Sequence, residues 1–258
     1  MSFIGKTASF IRDGISIIIY AMIYFRKRAG RVTLLYHSIG STSSGNDPYK
    51  LNVTYDVFAS HMKEVASNGI ESEVAFDDGY ANNFTKAFPL LKKYSINATI
   101  FVVTDFIDNK LESEDLPMGW AGECALTWDE IRIMDRAGIK IGSHSCRHPI
   151  LSGLTDDMLK NELSYSKRRI EEELGHHIDS LAFPFGGARS FDGRVIREAK
   201  AAGYKKAYTN MMGINRQDAA CCFRLKRIRI YSEDTALKVR MKMAGAYDWV
   251  DMVSPLFS

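Results

Sequence analysis

"VAFDDGY", residues 74–80, decides how this chain is read. Val74, Ala75 and Phe76 close a short apolar run, which predicts a buried strand, and Gly79 predicts the turn that ends it. Asp77 and Asp78 then sit at the C-terminal edge of a strand, where α/β proteins gather their functional groups. Adjacent carboxylates raise each other's cost of ionising, so the pair needs a chemical reason.

Outward from this stretch, strands alternate with helices. "RVTLLYHSI" (31–39) predicts a strand, 55–69 a helix ended by Gly69, 82–94 a helix interrupted by Pro89, and 97–103 a strand. A Thr127/Glu130 capping box opens a helix over 127–138 that leads into the strand of "IKIGSH". Charged helices near 156–174 and 191–202 precede "SLAFPF" and "YKKAYT", and "RIRIYS" is the last clear strand. About seven mostly parallel strands separated by helices predict an α/β fold with a sheet closed into a distorted barrel or wound open. Their C-terminal ends face one another across one rim.

The 258 residues are 46% hydrophobic and 25% charged, which suits one large globular domain over 31–258 and excludes a disordered chain. The net charge of +3 is unevenly placed: residues 1–31 carry six Lys/Arg against Asp13 alone, and the rest is slightly acidic. Within that basic segment "GISIIIYAMIYF" (14–25) is too short for the roughly 20 residues of a spanning helix, and no cleavage-site pattern follows it. Residues 1–30 therefore predict either a buried first helix or one lying on an anionic membrane surface, which would put the protein in the cytoplasm at the inner face of the membrane. Cys124, Cys146, Cys221 and Cys222 lack zinc-finger spacing and predict free thiols in a reducing compartment. Thirteen Lys/Arg against four Asp/Glu in 194–242 are scattered over several elements, so nucleic acid is not an expected partner.

On the predicted rim, "SHSCRHP" brings His144 and His148 to the end of the strand near Gly142. Two imidazoles four residues apart can converge on one ion, and a carboxylate completes a two-His, one-carboxylate set with open positions. The doubled aspartate then has its reason: one carboxylate binds a cation that offsets the repulsion, and the other stays unligated to take a proton from water. Adjacent strand residues point to opposite faces, so both reach one site only if the chain bends, which Gly79 permits.

With "FDDGY", "HSCRH" and "FPFG" in this order, the chain resembles the polysaccharide deacetylases of NodB-homology type, carbohydrate esterase family 4, over roughly residues 32–230. The resemblance implies a distorted barrel that removes N-acetyl groups from amino sugars of a polysaccharide, surface glycan or lipid-linked precursor. It implies Asp77 as general base, and Asp78, His144 and His148 as ligands of a divalent ion, usually zinc. It places Tyr80 of the first motif, and Pro184, Phe185 and Gly186 of the third, along the substrate groove. Two positions depart from the family. Ala182 stands where an arginine usually orients the base, and Arg227 stands where a histidine usually protonates the leaving amine. Arginine cannot be that acid, because it does not deprotonate, but it can contact the base or the substrate. His37, at the end of the first strand, is either the substitute acid, since an imidazole near pKa 6.5 suits proton delivery, or a residue that with Tyr36 only packs or hydrogen-bonds there; the "YH" also resembles an exopolysaccharide subgroup. Trp120 and Trp128 could stack on a sugar, although a Trp on a capped helix is more often core. The alternatives are a glycan-binding module without turnover and an O-acyl esterase.

Overall fold

The computed structural model describes residues 3–23, 30–40, 47, 49–111, 123–215 and 222–250. Trp120 and Cys221 lie outside them. The elements are α1 (Phe3–Ile23), β1 (Val32–Tyr36), β2 (Ser38–Ile39), β3 (Asn52–Val53), α2 (Tyr55–Ser67), β4 (Ser72–Phe76), α3 (Phe88–Lys93), β5 (Ala98–Val102), α4 (Thr104–Ile107), α5 (Trp128–Arg136), β6 (Lys140–Ser143), α6 (Asp156–Leu174), β7 (Ser180–Ala182), α7 (Gly193–Ala201), β8 (Lys206–Tyr208), β9 (Ile228–Arg229) and α8 (Ala236–Ala244).

Seven strands form one parallel sheet in the order β8-β7-β6-β5-β4-β1-β9. The segment leading into β9 draws the two edges together: Leu225 bridges Tyr208 of β8, while Ile228 and Arg229 pair with Leu34 and Leu35 of β1. The curved sheet has helices packed on its outer face and its own side chains inside. Alternation decides which residue goes where. Val74 and Phe76 of β4, Leu34 and Tyr36 of β1, and Ile100 and Val102 of β5 join the large core under the helices. Ala75, Phe101, Ala182 and Tyr208 form a separate interior cluster, with Leu225 against it. Below that cluster Thr33 and the Tyr208 hydroxyl both donate to Glu73, at 3.0 Å each. Period two then carries the interior series Glu73, Ala75 upward to Asp77, and Thr33, Leu35 upward to His37. The Tyr36–Phe76 pairing sets those two ends level.

The sequence expectation of a strand over 31–39 is corrected at one point. The strand breaks at His37, because Ser38 and Ile39 leave the sheet to pair with Asn52 and Val53. The break is held by Asn83, whose side chain donates to the His37 carbonyl at 2.7 Å. The 82–94 helix is also two pieces: a wide π turn at Asn83–Ala87 runs into α3, with Pro89 in its first turn. Proline lacks an N–H and crowds the preceding turn, and widening that turn relieves the clash. The capping box is present as expected, and α6 is ended by Gly175 in the left-handed conformation. Helices α4 and α8 had no clear sequence signal.

Gly142 shows how tightly the interior is filled: a Cβ there would lie 2.5 Å from the Phe101 ring. Gly142→Ala should therefore cost about 1–3 kcal/mol through overpacking. Denaturant unfolding should show a lower midpoint with unchanged slope.

Candidate metal and catalytic site

The site stands on the C-terminal ends of β1, β4, β6, β7 and β8. Asp77 continues the interior face of β4 and is 1% exposed. Asp78 would point the other way on a regular strand. It instead takes φ +76°, followed by Gly79 at +86°, so the bend begins at the aspartate itself and returns its carboxylate to the side of Asp77. Ser145 and His148 in the β6 loop and Phe185 in the β7 loop are also left-handed. Such backbone costs on the order of 1 kcal/mol or more per residue and persists where surrounding contacts impose it.

For the β6 loop, those contacts come from α6. Glu162 accepts the backbone N–H of Cys146 at 2.8 Å and of Arg147 at 3.1 Å, while Ser145 Oγ accepts from the His148 amide at 3.0 Å. The Cys146 thiol donates toward the Glu162 carbonyl, and burial pushes its pKa up to about 12. It is a neutral packing group rather than a ligand.

His144 Nδ1 is 2.8 Å from the Ala182 carbonyl. A carbonyl can only accept, so Nδ1 carries the proton and Nε2 presents its lone pair. That lone pair faces Asp77 Oδ2 and Asp78 Oδ1, each at 3.6 Å, and His148 Nε2 lies 3.7 Å from Asp78 Oδ1. Burial holds both imidazoles below their usual pKa, so they stay neutral. The His144 lone pair aimed at two carboxylates is repelled unless a cation lies between them. One ligand atom each from Asp78, His144 and His148 falls within a 4.8 Å span. Ligands about 2.0–2.1 Å from a tetrahedral zinc stand about 3.4 Å apart, so the 3.6 and 3.7 Å gaps fit a divalent ion.

Asp77 is held differently. Arg227 is completely buried and donates through both terminal nitrogens to its two oxygens, at 2.6 and 2.9 Å. Burial alone would raise the Asp77 pKa, but the Arg227 charge outweighs it, and the carboxyl stays ionised well below the usual range. Two further N–H groups of the guanidinium go to the Thr209 carbonyl and to Asn210 Oδ1. Asn210 in turn donates to the Phe185 carbonyl at 2.7 Å, and its backbone N–H bonds the Gly186 carbonyl. One continuous chain of hydrogen bonds thus ties the base to the "FPFG" turn. Gly186 is required there, because a Cβ would meet the Asn210 nitrogen at 2.5 Å.

Of the two contacts expected of Arg227, base or substrate, the structure shows the first: it lies behind Asp77, fully buried. One residue expected along the substrate groove is placed elsewhere. Tyr80 is 1% exposed, packed edge-on to Phe106 with its hydroxyl against Asp78, so it backs the cation cradle instead of lining the groove. Phe185 does face solvent, 46% exposed and tilted against the His148 ring at 4.7 Å, with buried Pro184 beneath it. His37 is partly exposed and level with Asp77, and burial pushes its pKa down to about 3. Trp128 is structural: its indole N–H bonds Asp108 at 2.7 Å, and Arg169 covers its ring. Sequence reasoning missed Glu162 and Asn210, which no local motif marks.

The model of the polysaccharide deacetylase family matches residues 66–207. Among curated proteins, the chain is 29% identical over 231 residues to "Putative polysaccharide deacetylase YxkH" of Bacillus subtilis, covering 81% of this chain and 75% of that one. Among solved structures, a polysaccharide deacetylase of Bacillus cereus, BC0361, is 26% identical with a TM-score of 0.68, over 83% of this chain and 69% of that one. Streptococcus pyogenes deacetylase PplD, in complex with acetate, superposes with a TM-score of 0.70 at 23% identity, over 83% and 98%, a likeness of fold.

The geometry separates ligands from neighbours in a measurable way. Asp78→Ala, His144→Ala and His148→Ala should each lose most of the zinc measured by elemental analysis after equilibrium dialysis, and Cys146→Ser should retain it in full.

Proposed function

This chain belongs to the polysaccharide deacetylase family, and we propose that it removes an N-acyl group, acetyl in the simplest case, from an amino sugar of a polysaccharide or surface-glycan precursor by metal-dependent hydrolysis. The observation that carries this reading is the pairing of a cation cradle with a separately anchored carboxylate: Asp78, His144 and His148 converge, while Asp77 beside them is committed to Arg227. A divalent ion held by the three, zinc being the best match to their donor set, would polarise the acyl oxygen and acidify water.

The chain's own residues do the rest. Asp77, ionised and fixed in orientation, takes the proton from the attacking water. Arg227 keeps the carboxylate from rotating away, the task that the Ala182 position cannot perform. His37 is neutral at rest, so it does not bring a proton with it; it receives the one released at the Asp77 level and passes it to the leaving nitrogen. Phe185, exposed above His148, gives a sugar face an apolar surface to lie on, and its turn is held to the base by Asn210. The carbohydrate is the expected partner, as the family implies.

Acetate release from N-acetylhexosamine oligomers, with zinc restored to metal-stripped protein, tests the reading. Binding of sugar and metal without any acyl release from N-acyl or O-acyl glycans would reduce the chain to a glycan-binding module. Asp77→Asn should keep its metal and lose turnover. His37→Ala should slow amide hydrolysis by roughly 10² to 10⁴ while sparing an activated ester, whose leaving group needs no proton. Equal losses on both substrates would make His37 a positioning residue.

Replacing the guanidinium tests its electrostatic role. Arg227 depresses the Asp77 pKa, so its removal raises that pKa and protonates the base at higher pH. The acidic limb of the kcat/KM profile for Arg227→Met should therefore move upward. The folded state should also lose about 3–5 kcal/mol, because a buried carboxylate is left without its partner.

A further inference from the structure

The face of α1 turned away from the barrel is patterned in reverse. A surface helix normally buries its apolar stripe and shows its polar side to water. In the described side chains of α1, from Ile11 to Ile23, Asp13 and Ser16 are turned inward. Ser16 is fully buried and accepts from the Trp249 indole at 3.1 Å, and Asp13 bonds Lys238 and the Tyr247 hydroxyl at 3.2 and 3.0 Å. Ile19, Tyr20 and Ile23 pack on Met241, Ala246 and Tyr247. The exposed positions are Ile11, Gly14, Ile15, Ile17, Ile18, Ala21 and Met22, none of them charged or polar. The large ones are between 39% and 66% exposed. Ile11, Ile15, Ile18 and Met22 recur at helical spacing and make one continuous outward stripe.

We propose that this stripe docks the protein on an anionic lipid surface. The charge around it identifies the occupant. Lys6, Arg12, Arg26, Lys27, Arg28 and Arg31 give residues 1–31 a net charge of +5 against a remainder of net −2, so along the sequence basic residues flank the apolar run on both sides. Apolar side chains entering the acyl boundary between basic groups that meet headgroups is the arrangement of an interfacial helix. No described helix is long and apolar enough to cross a membrane, so the stripe fits a surface and not a span. The docked inner face carries the orientation: because Asp13 and Ser16 anchor the helix to α8 and its flank, the isoleucines cannot roll inward to hide without breaking those bonds.

The test is co-sedimentation of the full chain with phosphatidylcholine vesicles containing about a quarter phosphatidylglycerol, against phosphatidylcholine alone. Wild type should pellet with the anionic vesicles and be largely released at about 0.5 M salt, where surface charges are screened. Ile15→Asp/Ile18→Asp changes exposed positions only and should cut the bound fraction at least about tenfold, with melting temperature and zinc content unchanged. If that variant misfolds, Ile11→Ser/Met22→Ser makes the same comparison at the ends of the stripe. Wild type remaining in the supernatant, equal pelleting with both lipids at low salt, or undiminished pelleting of the folded variants would overturn the proposal. So would a concentration-dependent dimer that the Ile15→Asp/Ile18→Asp change abolishes without any vesicle binding, which would assign the stripe to a second copy of this chain.

Discussion

A buried bidentate ion pair, Arg227 on Asp77, joins the two halves of the molecule's problem. One partner ends β4 near the middle of the sheet, and the other comes from the segment that draws the two sheet edges together. Taking both charges out of water costs several kcal/mol per ion, repaid only if every donor and acceptor is satisfied. Thr209 and Asn210 take two further N–H groups of the guanidinium, and the register of β1, β4, β8 and β9 must be right for all of them to meet. The pair is thus poor evidence for stability, and its formation depends on the arrangement around it. A one-residue slip in β4 would send Asp77 to the helix side.

The same pair explains how two adjacent carboxylates coexist. Asp77 is neutralised by a protein cation that cannot leave or deprotonate. Asp78, turned by its left-handed backbone, shares its neighbourhood with neutral imidazoles whose lone pairs invite an exchangeable cation. With a cation held there, the two negative charges would be balanced by different kinds of positive charge, and that difference would divide their labour. The Ala182 carbonyl, fixing the His144 tautomer, and Glu162, fixing the loop that carries His148, set where the cation would sit.

What could be read from the sequence was whatever depends on residue type at short spacing. The strand into Asp77, the capping box on Thr127, the limits of α6 and the trio Asp78, His144 and His148 all rest on local pattern or on motif resemblance. Arg227 stands out because it replaces an expected histidine, and the sequence left open whether it meets the base or the substrate: its partner Asp77 lies 150 residues away, and only the closure of the sheet brings them together. Glu162 and Asn210 looked like ordinary helix and loop residues. Tyr80 illustrates the opposite error, since its place in "FDDGY" suggested substrate contact while the turn at Asp78 rotates it behind the cradle. The break at His37 was hidden because an apolar run carries no sign of which strand it will next pair with.

The central claim is that an ion in the Asp78, His144, His148 cradle makes hydrolysis depend on Asp77. Cobalt titration of metal-stripped protein, read both by visible absorption and by acetate released from N-acetylglucosamine oligomers, tests it most directly. The account predicts that the two signals rise together and level off at a stoichiometric ion, and that Asp77→Asn reproduces the absorption curve with no acetate. Acetate release by metal-stripped protein, or an Asp77→Asn protein that still turns over at the wild-type rate once loaded, would contradict it.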